Sequence, residues 1–262
     1  MVWYRWGHGP ALLLLHGGHG SWTHWIRNIP SLARHWSVAV PDMPGYGESA
    51  SPPDRTAPES LADALARGLD SVLPGGGQIA IAGFSFGSII AGHLALLRPD
   101  RIGQLTLVGA SGLGLTRPNL EPLRSWRRLE SQEERYEAHR TNLAILMLRD
   151  PARIDALALH LQSENTIRTR IDSPTISRTD TLRRCLRKLK VPLSGIWGEA
   201  DATTGKFLAE RRDLLRAIDP CSDFVTIPNA GHWVQYEAPD AFNDALEEVL
   251  SKGRGRVEAP EF

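Results

Sequence analysis

The sequence predicts an α/β protein: a mostly parallel, doubly covered sheet with an inserted helical cap. Three observations carry this expectation. Short apolar runs without polar alternation recur along the chain, as in strands buried on both faces. Stretches with helical apolar spacing lie between them, which implies βα units and a parallel sheet. One long stretch, residues 113–190, contains no strand-like run and reads as helical throughout.

Taken in order, strands are predicted at residues 11–15, 37–40, 78–82, 105–108, 193–197 and 224–227. The first run is rich in Leu, but Pro10 and the glycines that follow leave no length for a helix. Only about one short strand fits before Ala11. A helix is predicted over 59–73, where Leu61, Ala64, Leu65, Leu69 and Val72 share one face. A second, over 88–97, is rich in Ala and Leu and stops before Pro99. Residues 206–218 and 239–250 are amphipathic. These elements divide the chain into a core of 1–112 and 191–252, a cap of 113–190, and a polar, Gly-containing tail of 253–262 that is expected to be disordered. The cap is net basic while the remainder is net acidic.

A chain of 262 residues fits one large domain with an inserted subdomain and buries enough surface to need no staples. The formal net charge of zero excludes a global basic field, so no nucleic-acid partner is expected. Cys185 and Cys221 follow no metal-ligand spacing and read as free thiols. The N-terminus lacks signal-peptide form, and the run at 11–15 is far too short to span a bilayer. The expectation is therefore a cytoplasmic protein with no membrane partner and no bound metal.

The sharpest motif is Gly83-Phe84-Ser85-Phe86-Gly87, between a predicted strand and a predicted helix. That is the context of a nucleophile elbow, whose tight turn requires small residues two positions either side of the nucleophile. A serine hydroxyl needs a base. Among nine histidines, His232 follows the last predicted strand and precedes the last helix, at the same sheet edge as Ser85. His8, His35, His93, His139 and His160 suit packing or surface roles better. Asp201, after the next-to-last strand, is the candidate acid that orients the imidazole, with Glu199 its rival. The order Ser, Asp, His is one of the few known chain orders for such a triad. Two backbone N–H groups should hold a developing oxyanion, those of Phe86 and of Gly18 in the His16–Gly20 turn. That turn fits neither common Gly-rich phosphate loop.

With these residues in hand, His16-Gly17-Gly18, Pro41–Ser49, Gly83–Gly87, Gly198–Asp201 and Gly231-His232 resemble the ordered motifs of the α/β-hydrolase superfamily, over about residues 3–112 and 191–250. The resemblance implies the α/β-hydrolase fold, a cap between the sixth and seventh strands, no cofactor, and serine hydrolase activity. The segment Gly231–Glu237 with Phe242-Asn243 further resembles the meta-cleavage-product hydrolases, which break a carbon–carbon bond in vinylogous diketo acids. By that resemblance, Trp233 and a cap arginine would bind a dienoate. The chain departs from that group at Phe84 and Phe86 in the elbow and at Thr23 and His24. Ser85 sets it apart from relatives that carry Asp at the elbow.

The expected activity is carboxylic ester hydrolysis through an acyl-enzyme, with carbon–carbon hydrolysis as the alternative. The expected partner is a small, apolar or aromatic substrate, and a homodimer is allowed. Arg168 or Arg170 could clamp a substrate carboxylate, although arginines on amphipathic helices are usually solvated. Phe84, Phe86, Trp22, Trp25 and Trp233 suit either an aromatic pocket or a core.

Overall fold

The computed structural model describes residues 1–258. Seven strands form one sheet: β1 (Trp3–Trp6), β2 (Ala11–Leu15), β3 (Ser37–Pro41), β4 (Ile79–Phe84), β5 (Ile102–Val108), β6 (Leu193–Gly198) and β7 (Asp223–Ile227). Their spatial order is β1-β3-β2-β4-β5-β6-β7. The first strand pairs antiparallel with β3, and every other pair is parallel. One strand does precede Ala11, as its spacing predicts.

Strand β2 explains why polar alternation is missing. Leu12 and Leu14 belong to the apolar cluster on one face of the sheet, and Leu13 and Leu15 to the cluster on the other. Both faces are therefore dry, and every position favours an apolar side chain. Helices α1 (Ile29–Leu32), α2 (Pro58–Val72) and α3 (Phe86–Leu97) follow the early strands. In α2, Pro58 occupies the first turn, and Leu61, Leu65 and Leu69 face inward.

Four helices lie between β5 and β6: α4 (Gln132–Leu146), α5 (Ala156–Ile167), α6 (Ser173–Ser177) and α7 (Thr181–Leu186). The insertion thus follows the fifth of the seven described strands. The expectation of helix throughout this segment is corrected at its start. No helix forms before Gln132. Gly112 and Gly114 adopt left-handed backbone, and Pro118 and Pro122 disfavour helix in the residues before them. The Asn142 amide instead holds this irregular chain, accepting from Arg124 N (2.7 Å) and donating to Arg124 O (2.9 Å). Helix α4 then starts on a capping box of Ser131 and Glu134.

The chain closes with α8 (Leu208–Ile218), α9 (Val234–Glu237) and α10 (Pro239–Glu258). The expected disordered tail is corrected for residues 253–258, which continue α10; residues 259–262 lie outside the described residues. Side-chain contacts override the weak local pattern here. Arg256 pairs with Asp219 at 2.8 Å, and Arg254 lies over the Trp36 ring at 4.4 Å. Both cysteines are free. No helix among the described residues is long and apolar enough to cross a membrane.

Strand β2 is flanked by β3 on one side and β4 on the other, so the chain reverses its winding direction there. The loops after β2 and β4 consequently leave the sheet in opposite directions and open a crevice at its carboxyl edge.

Candidate active site

Ser85 stands in this crevice. It links β4 to α3 with φ +51° and ψ −113°, a backbone region L-residues avoid. The elbow exists because strand and helix nearly touch. A Cβ on Gly83 would lie 2.7 Å from Gly87 O, and one on Gly87 would lie 2.5 Å from the carbonyls of His16 and Leu15. Only glycine fits either position. The Ser85 N–H donates to Val108 O at 2.8 Å, and Ser88 Oγ donates to Gly83 O at 2.5 Å, fixing the strained turn. No side chain caps the start of α3, so its first N–H groups and its dipole face the site.

His232 Nε2 lies 3.0 Å from Ser85 Oγ, and its Nδ1 lies 2.8 Å from Asp201 Oδ2. The loops carrying the two partners are pressed together, because a Cβ on Gly198 would collide with the Gly231 and Ala230 carbonyls. Asp201 is 1 % exposed. Its other oxygen accepts from Thr203 N and Thr203 Oγ1, both at 2.8 Å. Burial alone would push its carboxyl up, but His232 and the Thr203 hydrogen bonds outweigh burial and hold it below the usual carboxylate value. A carboxylate so held keeps the Nδ1 proton on the imidazole and leaves Nε2 free to accept from Ser85. The rival Glu199 points away and accepts from Asn229 N at 3.2 Å.

The Gly17-Gly18 turn lies over the elbow. A Cβ on Gly17 would be 3.3 Å from Ser85 Cβ, and one on Gly18 would be 3.7 Å from Phe86 Cβ and would collide with Ser173 Oγ. Among the described residues, neither the Gly18 N–H nor the Phe86 N–H donates to a protein acceptor. Two histidines set the turn's orientation. His16 Nδ1 donates to Gly17 O at 2.8 Å while its Nε2 accepts from Met43 N at 3.0 Å. Because the C=O and N–H of one trans peptide point oppositely, holding Gly17 O turns the Gly18 N–H the other way. His24 Nδ1 accepts from Gly17 N at 3.2 Å. Burial pushes the His16 imidazole down to about 4 and the His24 imidazole well below its ordinary value, so both stay neutral. Sequence reasoning missed His24 and Thr203. The Asp-x-Thr spacing of 201–203, a common turn signature, could have revealed the latter; no local signal marks the former.

The residues expected to contact substrate are each engaged within the protein. Trp233 is 1 % exposed and donates its indole N–H to His24 O at 2.9 Å. Phe84 is buried and packs between His24 and His232. Arg168 is engaged by Glu164 (3.2 Å) and Glu48 (3.6 Å) on the surface, and Arg170 is spent on backbone carbonyls of Tyr46, Gly47 and Ser49. Trp25 packs on Phe242, and Trp22 against Tyr4 and Trp6. For the aromatic residues packing, which shares its composition with pockets, claims the side chain. His8, His35 and His160 are exposed, and His93 meets Thr181 at 2.9 Å.

A chamber of about 220 Å³ opens instead beside Gly18 and His19, walled by Trp126, Asn142, Leu146 and Met147. A larger hollow of about 390 Å³ lies at the opposite edge of the sheet, between Trp36 and Arg254, away from Ser85. Among the described residues no group of three or more His, Cys, Asp or Glu side chains is arranged to hold a metal ion.

Comparison with known proteins shows the family to which this fold belongs. The chain is 30 % identical to a 2-hydroxy-6-oxo-6-phenylhexa-2,4-dienoate hydrolase of Burkholderia cepacia, over 94 % of this chain and 90 % of that protein. It is 36 % identical to a pimeloyl-[acyl-carrier protein] methyl ester esterase of Vibrio campbellii, in a match spanning 49 % of this chain and only 45 % of that relative. A thermophilic esterase from Thermogutta terrifontis, solved with malate bound, superposes with a TM-score of 0.72 at 27 % identity, covering 96 % of this chain and 93 % of that one. The model of the alpha/beta hydrolase family matches residues 12–245. From β2 to the middle of α10, this chain is a member of the alpha/beta hydrolase family.

Proposed function

We propose that the protein hydrolyses a carboxylic ester of a small, apolar or aromatic molecule, with Ser85 as nucleophile, His232 as base and Asp201 as the orienting acid. The observation that carries this reading is the relay of 3.0 Å and 2.8 Å contacts from Ser85 through His232 to Asp201 on a strained elbow. In the first half-reaction Ser85 Oγ bonds to the ester carbonyl carbon as its proton passes to His232 Nε2. The N–H groups of Phe86 and Gly18 hold the oxyanion. The tetrahedral adduct collapses, the carbon–oxygen bond to the alcohol breaks, and His232 returns the proton to the departing alkoxide. Water, deprotonated by His232, then attacks the acyl-enzyme and releases the carboxylic acid and Ser85.

A second reading is supported by one specific observation, the full-length likeness to a dienoate hydrolase. In it the same three residues cleave a carbon–carbon bond of a vinylogous diketo acid. Arg168 is engaged by Glu48 and Glu164, and the Trp233 indole N–H by His24, so two of the residues expected to serve that chemistry are occupied, which favours the ester. The test measures short-chain p-nitrophenyl ester turnover against depletion of a coloured dienoate, with Ser85→Ala as control. Ester turnover that vanishes in Ser85→Ala supports the first reading. Consumption of the dienoate with inert esters overturns it in favour of the second.

A further inference from the structure

We propose that Glu237 is a positioning residue for the base: its carboxylate ties the turn that carries His232 to the cap and so fixes the imidazole over Ser85. The inference rests on the reading of Ser85 and His232 given above. Glu237 ends α9 and is 4 % exposed. One of its oxygens accepts from Gly231 N at 2.6 Å and from Arg149 N at 3.2 Å, and the other from Asp150 N at 2.7 Å. Residues 149 and 150 lie just beyond α4, in the cap. On the other side of the base, Trp233 N donates to Met147 O at 2.8 Å. Both chain neighbours of His232 are therefore anchored to the same four-residue stretch of the cap.

The approach is close. A Cβ on Gly231 would lie 2.8 Å from Arg149 N and 2.9 Å from Met147 O. A second tie runs alongside. Tyr236 Oη donates to Asp155 at 2.6 Å, Asp155 pairs with Arg27 at 2.5 Å, and the Arg27 guanidinium lies 3.8 Å over the Tyr236 ring. Met147 also walls the chamber beside Gly18, so the surface facing that space and the turn holding the base share one residue.

No Lys or Arg among the described residues pairs with Glu237, so three backbone N–H groups meet its charge. A carboxamide of the same shape cannot replace it. It offers one acceptor oxygen, and its NH₂ would face an N–H donor in a site closed to water. The turn must then shift to relieve that contact. Misplacing a reacting group by roughly 1 Å costs on the order of 100-fold in rate.

The experiment compares Glu237→Gln with the wild-type full chain on p-nitrophenyl acetate. Turnover is normalised to the Ser85 sites titrated with a fluorophosphonate, and thermal melts run in parallel. The expected result is a fall of about 10- to 100-fold in kcat per titrated site. KM for this small neutral ester should stay within about twofold. A kcat per site equal to wild type, whatever the melt does, overturns the proposal and leaves Glu237 a folding residue only. If Glu237→Gln gives no folded protein, Glu237→Asp, which keeps the charge but withdraws it by one methylene, must show the same kcat loss. Turnover abolished in Ser85→Ala but unchanged in the Glu237 variants would defeat this proposal alone; turnover surviving in Ser85→Ala would defeat the catalytic reading beneath it.

Discussion

Replacing Asp201 by Asn should be far more damaging than the loss of one charge, because Thr203 dictates which way the new amide sits. Thr203 donates twice to Asp201 Oδ1, through its N–H and its hydroxyl, each at 2.8 Å. In the Asn variant the amide oxygen must occupy that place to satisfy both donors. The amide NH₂ then faces His232 Nδ1, where a carboxylate oxygen now stands at 2.8 Å. Nδ1 becomes an acceptor, and the imidazole proton moves to Nε2, opposite Ser85 Oγ. A base already protonated on its working nitrogen accepts nothing. The opposite flip restores the tautomer but points NH₂ at two buried donors, at about 1–3 kcal/mol each, so it is disfavoured by about 2–6 kcal/mol. At 1.36 kcal/mol per tenfold, kcat should fall by about 30- to 25,000-fold. Adding Thr203→Val removes one of the two donors, lowers that bias by about 1–3 kcal/mol, and should recover about 5- to 150-fold. The assay is kcat on p-nitrophenyl acetate per folded enzyme, with melts to exclude unfolding. An Asp201→Asn variant that keeps more than about a tenth of wild-type kcat, or a double variant slower than the single, refutes the tautomer argument.

Two further outcomes follow from the elbow and the buried histidines. Gly87→Ala would place a methyl 2.5 Å from two backbone carbonyls. Overpacking of this kind costs about 1–3 kcal/mol, which at 2–4 °C per kcal/mol lowers Tm by about 2–12 °C. Gly77→Ala, with nothing within 4 Å, is the control and should melt at or above wild type; equal melting of the two variants would disprove the close-approach argument. Stability should also fall with acid in a defined window. His16 refuses a proton down to about 4 in the folded chain but accepts one near 6.5 when unfolded. Its contribution is therefore full above 6.5 and lost as pH falls toward 4, by roughly 3 kcal/mol. Burial pushes His24 the same way, whereas Asp201, held below 3.8, loses its contribution only at lower pH. Urea unfolding at pH 7.5 and 4.5 reads the difference, and a flat profile would show that His16 is not protected as its burial implies.

The fold was legible wherever two-sided burial stripped the sequence of polar alternation, as in Leu12–Leu15 and Leu105–Val108. Local backbone requirements were legible as well. A left-handed serine between strand and helix demands Gly83 and Gly87, so the elbow announces itself within five residues. The start of the cap was legible only in part: Pro118 and Pro122 argue against a helix, whereas the Arg124 to Asn142 bonds that hold the irregular chain join residues 18 apart and leave no local signal. The tail misled for a related reason: an exposed, Gly-containing segment stays helical when Arg254 and Arg256 find Trp36 and Asp219 on the core.

Within the site, what the sequence concealed shares one physical character. Thr203, His24 and Glu237 all act through hydrogen bonds to neighbours that folding supplies, and two of the three reach mainly backbone groups. A backbone N–H has no residue identity, so its partner leaves no paired signature elsewhere in the chain. Arg168 and Trp233 are the converse. Their chemistry suits a carboxylate, but Glu48, Glu164 and the His24 carbonyl reach it first. On the reading proposed above, the substrate would meet groups whose hydrogen-bonding capacity the fold leaves unspent: the Gly18 and Phe86 amides, and the walls of the chamber beside Gly18. Variation of the acyl group should therefore be felt at Leu146 and Met147 before it is felt at any cap arginine outside that chamber.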